Sequence, residues 1–188
     1  VRSGKVRYVG VSNYSGWQTA AAAMWQRALP GRVALASTQM EYSLLARGVE
    51  REVIPAARAL GMGVLAWSPL GRGVLTGKYR GGVPNDSRGG SSTFASFVQP
   101  YLNDRSRGVV DAVATAAEGL SVTPLEIALT WVRDRPGVTA PIVGLRTAEQ
   151  LPPVLATEDI ELPAEIREAL DDVSAIPVGY PEAGWNQR

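Results

Sequence analysis

Four short apolar segments, each ending in polar residues or glycine and followed by a helical composition, constrain the fold of this 188-residue chain most. Regular alternation of strand and helix favours a parallel sheet with right-handed crossovers. Polar residues at the carboxyl ends of the strands are typical of a (β/α) barrel, whose binding sites lie at that end. The pattern predicts an α/β fold of TIM-barrel type, with about four βα units and strands at Val6–Val11, Val33–Ser37, Val64–Trp67 and Val138–Val143.

Helices are predicted after these strands, and two more before the last strand. Thr123 to Glu126 (TPLE) forms a capping box with proline at the first helical position, which indicates the start of a helix. The tail from Pro177 is predicted to be irregular, with Trp185 packing against the rest of the fold. The predicted helices are Gly16–Arg27, Val49–Leu60, Ser106–Leu120, Thr123–Arg133, a helix beginning at Thr147, and Pro163–Val173.

The stretch Val64–Tyr79 (VLAWSPLGRGVLTGKY) carries the most specific signal of a binding site. Its strand ends before Pro69, because proline cannot donate a hydrogen bond to a sheet and keeps the preceding residue out of the helical region. Gly71 and Gly73 allow backbone to approach a ligand closely, and Lys78 adds a positive charge. An aromatic ring, a hydroxyl, free N–H groups and a lysine at one strand end suit a flat ring joined to phosphates.

Composition excludes several other classes of site. Without cysteine and histidine the chain has no disulfide, no thiolate nucleophile, no Ser-His-Asp triad and none of the commonest metal ligands, so no metal site is predicted. A formal net charge of +1 gives no reason to expect nucleic-acid binding. No apolar run approaches the ~18 residues of a membrane span, and the first residues do not resemble a signal peptide. We therefore expect a soluble, cytoplasmic protein.

Four sequence blocks resemble, in the same order, blocks of the aldo-keto reductase superfamily: GKVRYVGVSNYS, QMEYSLLAR, LAWSPLGRGVLTGKY and PIVGLRTAEQL. The WSPL form of the third block is closer to the branch with the voltage-gated potassium-channel beta subunits than to the aldose reductase branch. The blocks resemble the fifth to eighth strands of the family's eight-stranded barrel. A complete barrel typically needs ~250 residues, so the resemblance implies that residues 1–188 are the C-terminal half of such a barrel.

The resemblance implies reversible hydride transfer between NADPH and an aldehyde or ketone, without a metal. The family's catalytic Asp, Tyr, Lys and His belong to the other half, so no catalytic residue is implied in this chain, which alone should be inactive. One alternative is a non-enzymatic NADP-binding or regulatory half-barrel that acts through self-association or a partner. Another, an unrelated (β/α) phosphate-binding enzyme, leaves the WSPL and GVSN blocks unexplained. A reading frame that extends upstream of Val1 with those four residues would favour the enzyme.

The resemblance assigns four residues to the nicotinamide end of the cofactor. Ser12 and Asn13 would hydrogen-bond its carboxamide, since an asparagine amide offers both a donor and an acceptor. In isolation, such a pair more simply caps the following helix. Gln39 would contact the same carboxamide, the alternative being a satisfied core amide. Trp67 would stack on the ring, whereas a lone tryptophan usually belongs to a core.

The pyrophosphate is assigned to the loop after the third strand. Lys78 matches a cofactor-contacting lysine of the channel-subunit branch. Residues 80–99, rich in Gly, Ser and Arg, are either a flexible surface loop or, as the resemblance favours, a lid over the pyrophosphate in which Arg88 faces the cofactor. The loop residues that match the family block are Ser68, Pro69, Leu70, Gly71 and Gly73.

Gly144, Arg146 and Gln150 form the last predicted set. Arg146 precedes a predicted helix, where the dipole prefers anions, so a phosphate partner explains it better than a capping role. The family uses this site for the adenosine 2′-phosphate, which implies NADP rather than NAD. Where the family commonly has Glu and Asn at the adenine, this chain has Pro153 and Val154, so we expect the adenine to be held more loosely.

A half-barrel leaves two sheet edges and one sheet face open. Unpaired edges recruit other strands, and large exposed apolar patches are unusual in monomers. We therefore expect the chain to self-associate, most simply as a two-fold dimer, or to bind a partner that covers the open half.

Overall fold

A wholly parallel four-stranded sheet lies at the centre of the fold, in a computed structural model that describes residues 1–85, 87, 89–177 and 179–180. The strands lie side by side in chain order, and every neighbouring pair is parallel. Helices connect successive strands, which confirms the predicted α/β class. The strands are β1 (Val9–Ser12), β2 (Leu35–Glu41), β3 (Gly63–Trp67) and β4 (Val138–Ile142).

The described residues contain seven α-helices, several of which have side-chain caps. Ser15 caps the first helix in a capping box with Gln18, and Thr123 caps the fifth in the predicted capping box with Glu126. Each box satisfies N–H groups that a helix start otherwise leaves without partners. The helices are α1 (Gly16–Ala28), α2 (Val53–Ala59), α3 (Ala95–Val98), α4 (Asp104–Leu120), α5 (Pro124–Arg133), α6 (Leu151–Leu155) and α7 (Ala164–Val173).

Three predicted strand boundaries are wrong, one of them the start of β2, which lies at Leu35 rather than Val33. β1 begins at Val9 rather than Val6, because Val9 is the first residue that pairs with β2. β2 continues past Ser37 to Glu41, because its second half pairs with all of β3. Gln39 therefore lies inside a strand rather than after one, and the register of the sheet fixes which face its side chain occupies.

Two helices also begin at other positions than predicted. α2 begins at Val53, four residues late, and a 3₁₀ turn at Gly48–Glu50 precedes it. Pro55 then falls in the first turn of α2, where its missing N–H costs no helical hydrogen bond. α4 begins two residues early, at Asp104, because the Asn103 side chain caps it.

The helix predicted from Thr147 also begins differently. Thr147 precedes a 3₁₀ turn, and regular α-helix starts only at Leu151. This start places Pro152 and Pro153 in the first turn of α6, the part of a helix that tolerates proline. All remaining predicted boundaries agree with the structure to within one residue.

The two faces of the sheet differ in burial. Val64 and Ala66 of β3 are completely buried and pack in the hydrophobic core with Val113, Ile127 and Trp131 of helices α4 and α5. Parallel sheets are normally covered on both faces, but the alternate residues here are only half-buried or exposed. We call the side that they occupy the open face, and it carries Ser12, Gln39, Glu41, Leu65, Trp67 and Ile142.

A network of paired charges holds α7 against the rest of the fold. Arg47 donates two hydrogen bonds of 2.9 Å to Glu50. Arg135 binds both carboxylate oxygens of Asp171, at 2.9 and 2.7 Å. The indole N–H of Trp131 donates to the same aspartate at 3.1 Å. Because its charges are paired and hydrogen-bonded, this partly buried network stabilises the packing of the C-terminal helix.

None of the described helices is long and apolar enough to cross a membrane by itself. Helices α4 and α5 reach the necessary length and composition only as a pair, and the chain bends by 101° between them. Nor does the described part of the chain contain a group of three or more acidic side chains placed to hold a metal ion.

Candidate functional site

A cleft of about 520 Å³ lies at the carboxyl ends of β3 and β4, the edge at which parallel α/β folds bind ligands. Its volume is within the range of small-molecule sites. We call it the strand-end cleft. Nine of the fourteen site residues predicted from the sequence line it: Trp67, Ser68, Pro69, Leu70, Gly73, Lys78, Gly144, Arg146 and Gln150.

The ends of the first three strands are joined by hydrogen bonds beside this cleft. The indole N–H of Trp67 donates to the side-chain oxygen of Asn13 at 3.0 Å. The Ser12 hydroxyl and the Asn13 backbone N–H both donate to the carbonyl of Gln39, at 3.1 and 3.0 Å. These bonds orient the Trp67 ring and leave the NH₂ group of Asn13 available as a donor. The helix cap comes from Ser15, so the capping role weighed for Ser12 and Asn13 is wrong.

Gln39 occupies the open face next to these groups. Its side chain is half-buried, and its amide has no hydrogen-bond partner among the residues that the structure describes. The Gln39 amide is not among the fully buried, unpaired polar atoms of the described residues, so it is open to solvent on this face and is not a satisfied core amide. It fits a position at which a ligand completes the hydrogen bonds.

Three residues near the strand ends have a left-handed backbone although they carry side chains. Their φ angles are +57° at Asn13, +51° at Ser68 and +59° at Arg72. Such angles are uncommon outside glycine and concentrate at binding and active sites, where the surrounding structure enforces them. The turns that follow β1 and β3 therefore share a backbone conformation that is typical of binding sites.

The two glycines of the loop after β3 differ in role. Gly71 is buried, and a Cβ there would lie 2.8 Å from Leu45 Cδ1. The missing side chain at this position therefore allows the backbone to pack closely against the core. Gly73 lines the cleft, and a Cβ there would lie 3.0 Å from Lys78 Nζ. Free N–H groups were predicted at this strand end, but those of Gly71 and Gly73 are not free, because both donate to carbonyls within the turn at 2.9 Å. The glycine at position 73 leaves room for the lysine ammonium at the cleft.

The segment after β4 forms a compact turn at the cleft. The side-chain oxygen of Gln150 accepts a hydrogen bond from the backbone N–H of Arg146 at 2.8 Å. Glu149 lies in the same turn, and hydrogen bonds from its own backbone N–H and from the Thr147 hydroxyl lower its pKa. Gln150 therefore shapes the turn that presents Arg146, and its NH₂ group remains available to donate to a ligand.

The charge of the lining favours an anion. Arg72, Lys78 and Arg146 contribute three cations, and Glu149 is the single carboxylate among the described lining residues. A cleft with an excess of one charge concentrates ligands of the opposite charge. The glycine-flanked lysine and the arginine after β4 thus make the cleft suitable for phosphate groups.

The two residues that replace the family's adenine contacts differ in placement. Pro153 belongs to the lining and offers no donor, whereas Val154 is not part of it and uses its carbonyl to accept from the Thr157 hydroxyl at 2.6 Å. The predicted contacts of Arg88 and Trp185 lie outside the described residues.

A polar cluster at the cleft is missing from the sequence-based prediction. Arg72 donates to both carboxylate oxygens of Glu41, at 2.8 and 2.6 Å, and the Tyr101 hydroxyl donates to the same carboxylate at 3.0 Å. Phe97 packs against the guanidinium, and we call these four residues the Glu41 cluster. The sequence signal that was available for this cluster is Glu41, an acidic residue two positions after Gln39 on β2. Its partners are 31 and 60 positions away, and no local pattern indicates them.

Residues 1–175 match the Aldo/keto reductase family. An uncharacterized oxidoreductase of Bacillus subtilis strain 168, YrpG, is 40% identical over 97% of this chain and 54% of its own length. A putative voltage-gated potassium channel subunit beta of Schizosaccharomyces pombe is 32% identical over 92% of this chain and 52% of its own. The probable aldo-keto reductase 1 of Glycine max is 29% identical over 98% and 50%. The chain thus spans about half the length of these curated relatives.

Proposed function

The chain belongs to the aldo/keto reductase family, and we propose that it forms the NADP-binding half of an oxidoreductase that reduces aldehydes or ketones to alcohols. The observation that carries this proposal is the strand-end cleft, which combines an oriented indole ring and an excess of cations at the carboxyl ends of parallel strands. When bound, NADPH supplies the hydride for the carbonyl carbon.

The indole of Trp67 would bind one face of the nicotinamide. Asn13 holds this indole by its N–H, so the ring cannot rotate freely, and the opposite face of the nicotinamide would be presented to a substrate. The NH₂ of Asn13 and the amide of Gln39 would hydrogen-bond the carboxamide. Fixing the cofactor in this way contributes to rate through orientation.

Arg146 and Lys78 would bind the phosphate groups. A guanidinium forms two parallel hydrogen bonds to a phosphate, whereas a lysine acts as a point charge. We assign Arg146 to the 2′-phosphate, which makes NADP the preferred cofactor, and Lys78 to the pyrophosphate. Residues 80–99 would form a lid over this part of the cofactor.

The proton donor for the carbonyl oxygen would come from residues outside this chain. Among the described tyrosines, Tyr42 donates to Glu50 at 2.6 Å and Tyr101 donates to Glu41 at 3.0 Å. Burial, reinforced by these carboxylates, raises the pKa of Tyr42 above its usual value and that of Tyr101 to about 12. A raised pKa makes each phenol a poorer acid at neutral pH, and the chain matches only about half of each relative.

Trp67→Ala should remove most of the tryptophan fluorescence quenching that NADPH causes in the wild-type chain. A nicotinamide stacked on an indole quenches that indole, and among the described tryptophans Trp67 is the one that lines the cleft. Trp25→Ala is the matched control, because Trp25 is 64% exposed on α1 and should leave the quenching intact. A fluorescence titration of the three proteins with NADPH tests the assignment, and undiminished quenching in Trp67→Ala would contradict it.

The second candidate function is a non-enzymatic NADP-binding or regulatory half-barrel that acts by assembly. The open face favours it, and so do the two sheet edges, since within the described ranges β1 pairs only with β2 and β4 only with β3. Residues 1–40 contain five Arg and Lys and no acid, whereas residues 148–173 contain eight Asp and Glu and one Arg. Opposite charges near the two edges suit pairing of β1 with β4 of a second copy.

Light scattering on the purified chain should therefore give the mass of a dimer. Raising the salt concentration should shift the mass towards the monomer, because salt screens the attraction between the basic and acidic segments. A fully folded monomer at every salt concentration would contradict the assembly, while leaving cofactor binding to be measured on the same sample.

A further inference from the structure

The Glu41 cluster connects two segments that the sequence separates. Arg72 belongs to the turn after β3, and Phe97 and Tyr101 belong to the end of the 80–99 segment and the turn behind it. The Arg72 guanidinium lies 3.9 Å from the centre of the Phe97 ring and donates a third hydrogen bond to the Phe97 carbonyl. Glu41 closes the connection by accepting from both Arg72 and Tyr101.

The cluster is also next to the groups that would hold the nicotinamide and the phosphates. Glu41 is the register partner of Trp67 in the β2–β3 pairing. Arg72 lines the strand-end cleft between Ser68 and Lys78, and its φ of +59° shows that the turn is held in an unfavourable backbone region. The ion pair supplies interactions that can maintain this backbone, since its two side chains are only 15% and 18% exposed.

We propose that Glu41 and Arg72 are positioning residues for the cofactor: they fix the turn at residues 70–77 as a wall of the cleft and fasten the end of the 80–99 segment beside it. This inference rests on the proposed function of the cleft. It assigns Arg72 a different role from Arg146 and Lys78, although all three cations line the same cleft.

The hydrogen bonds of Arg72 occupy the two-nitrogen fork with which a guanidinium binds a phosphate most strongly, and they leave it only one N–H on each of Nη1 and Nη2. Its Nε and Nη2 donate to Glu41, and its Nη1 donates to Phe97. The hydrogen bonds from Arg72 to Glu41 also raise the pKa of Arg72, in agreement with a strongly paired guanidinium. A phosphate bound through the Nε and Nη2 fork would displace the Glu41 carboxylate and so break the link from Arg72 through Glu41 to Tyr101.

A double-mutant cycle on NADPH affinity distinguishes a positioning role from a phosphate contact. Glu41→Gln and Arg72→Gln each break the same unit, so each should weaken NADPH binding by about tenfold, and the double variant should be no weaker than either. If Arg72 instead bound phosphate, Glu41→Gln would free it and leave the affinity unchanged or increased. That result, or additive losses in the double variant, would overturn the proposal.

Hydrogen exchange on the ligand-free protein provides a readout that does not depend on cofactor binding. In Glu41→Gln the amides of residues 71–77 and 97–102, several of which are hydrogen-bonded in turns, should exchange at least tenfold faster. Glu50→Gln is the matched control, because Glu50 also binds an arginine through two hydrogen bonds but away from the lining residues. It should leave both segments and the NADPH affinity unchanged.

The affinity measurement tests the proposed function, and the hydrogen-exchange measurement tests the inference independently of it. If the wild-type protein does not bind NADPH, the proposed function fails, and the exchange rates alone decide whether the cluster fixes the turn. Unchanged exchange in both segments of Glu41→Gln would overturn the inference. If Glu41→Gln does not fold, Tyr101→Phe removes only one hydroxyl, and an unaltered exchange rate at residues 97–102 in that variant would equally overturn it.

Discussion

Purified chain of these 188 residues should show no NADPH-dependent reduction of aldehydes or ketones. Loss of a general acid typically lowers a rate by about 10²–10⁴. Here the described tyrosines that donate to Glu41 and Glu50 are weakened as acids by burial, and the sequence contains no histidine. Substrate-dependent consumption of NADPH, followed by its absorbance, provides the measurement.

The matched control for this assay is a longer chain, if the reading frame continues upstream of Val1. It should gain at least the factor that a general acid contributes. Robust turnover by the 188-residue chain itself, persisting in the presence of a metal chelator, would show that the assignment of the proton donor to residues outside the chain is wrong.

Arg146→Ala should weaken NADPH binding about ten- to a hundred-fold and NADH binding much less. A charge-assisted hydrogen bond to a phosphate contributes roughly 1.5–3 kcal/mol, which corresponds to that range of dissociation constants. Only NADPH has the 2′-phosphate that Arg146 is proposed to bind. The dissociation constants of both cofactors, measured for wild type and variant, give the selectivity.

Arg107→Ala is the control for the loss of a positive charge. Arg107 lies on α4, its side chain is 71% exposed, and it does not line the strand-end cleft. Its removal should change neither dissociation constant by more than a small factor. Equal losses of NADPH and NADH affinity in Arg146→Ala would transfer the proposed selectivity to Lys78 or Arg88.

The fold could be predicted largely because its local signals agree. Each strand is a short apolar run, and α5 has its own start signal in the capping box at Thr123. The errors lie at strand ends that are set by pairing with a neighbouring strand. β1 starts at Val9 because that residue pairs with Leu35, the first residue of β2. β2 extends to Glu41 because its residues pair with β3 as far as Trp67. Pairing partners lie far apart in sequence, so hydrophobic pattern alone does not set these limits.

Much of the candidate site could be predicted for a related reason. Residues that follow parallel strands reach one edge of the sheet, and this topology brings Trp67 and Arg146 to one cleft although 79 positions separate them. The sequence did not predict the contacts between side chains. The bond from Trp67 to Asn13 and the pairing of Arg72 with Glu41 depend on rotamers and register, and neither has a spacing that a sequence reveals.

An amide NMR titration of the chain with NADPH is the most direct measurement of cofactor binding at the strand-end cleft. We predict that the largest shifts occur at the Trp67 indole N–H and at the amides of Gly73, Gly144 and Arg146, which line that cleft. Absence of shifts at high NADPH concentration, or shifts concentrated at the separate cleft around Ile54, would contradict the assignment of this site as the NADP-binding site.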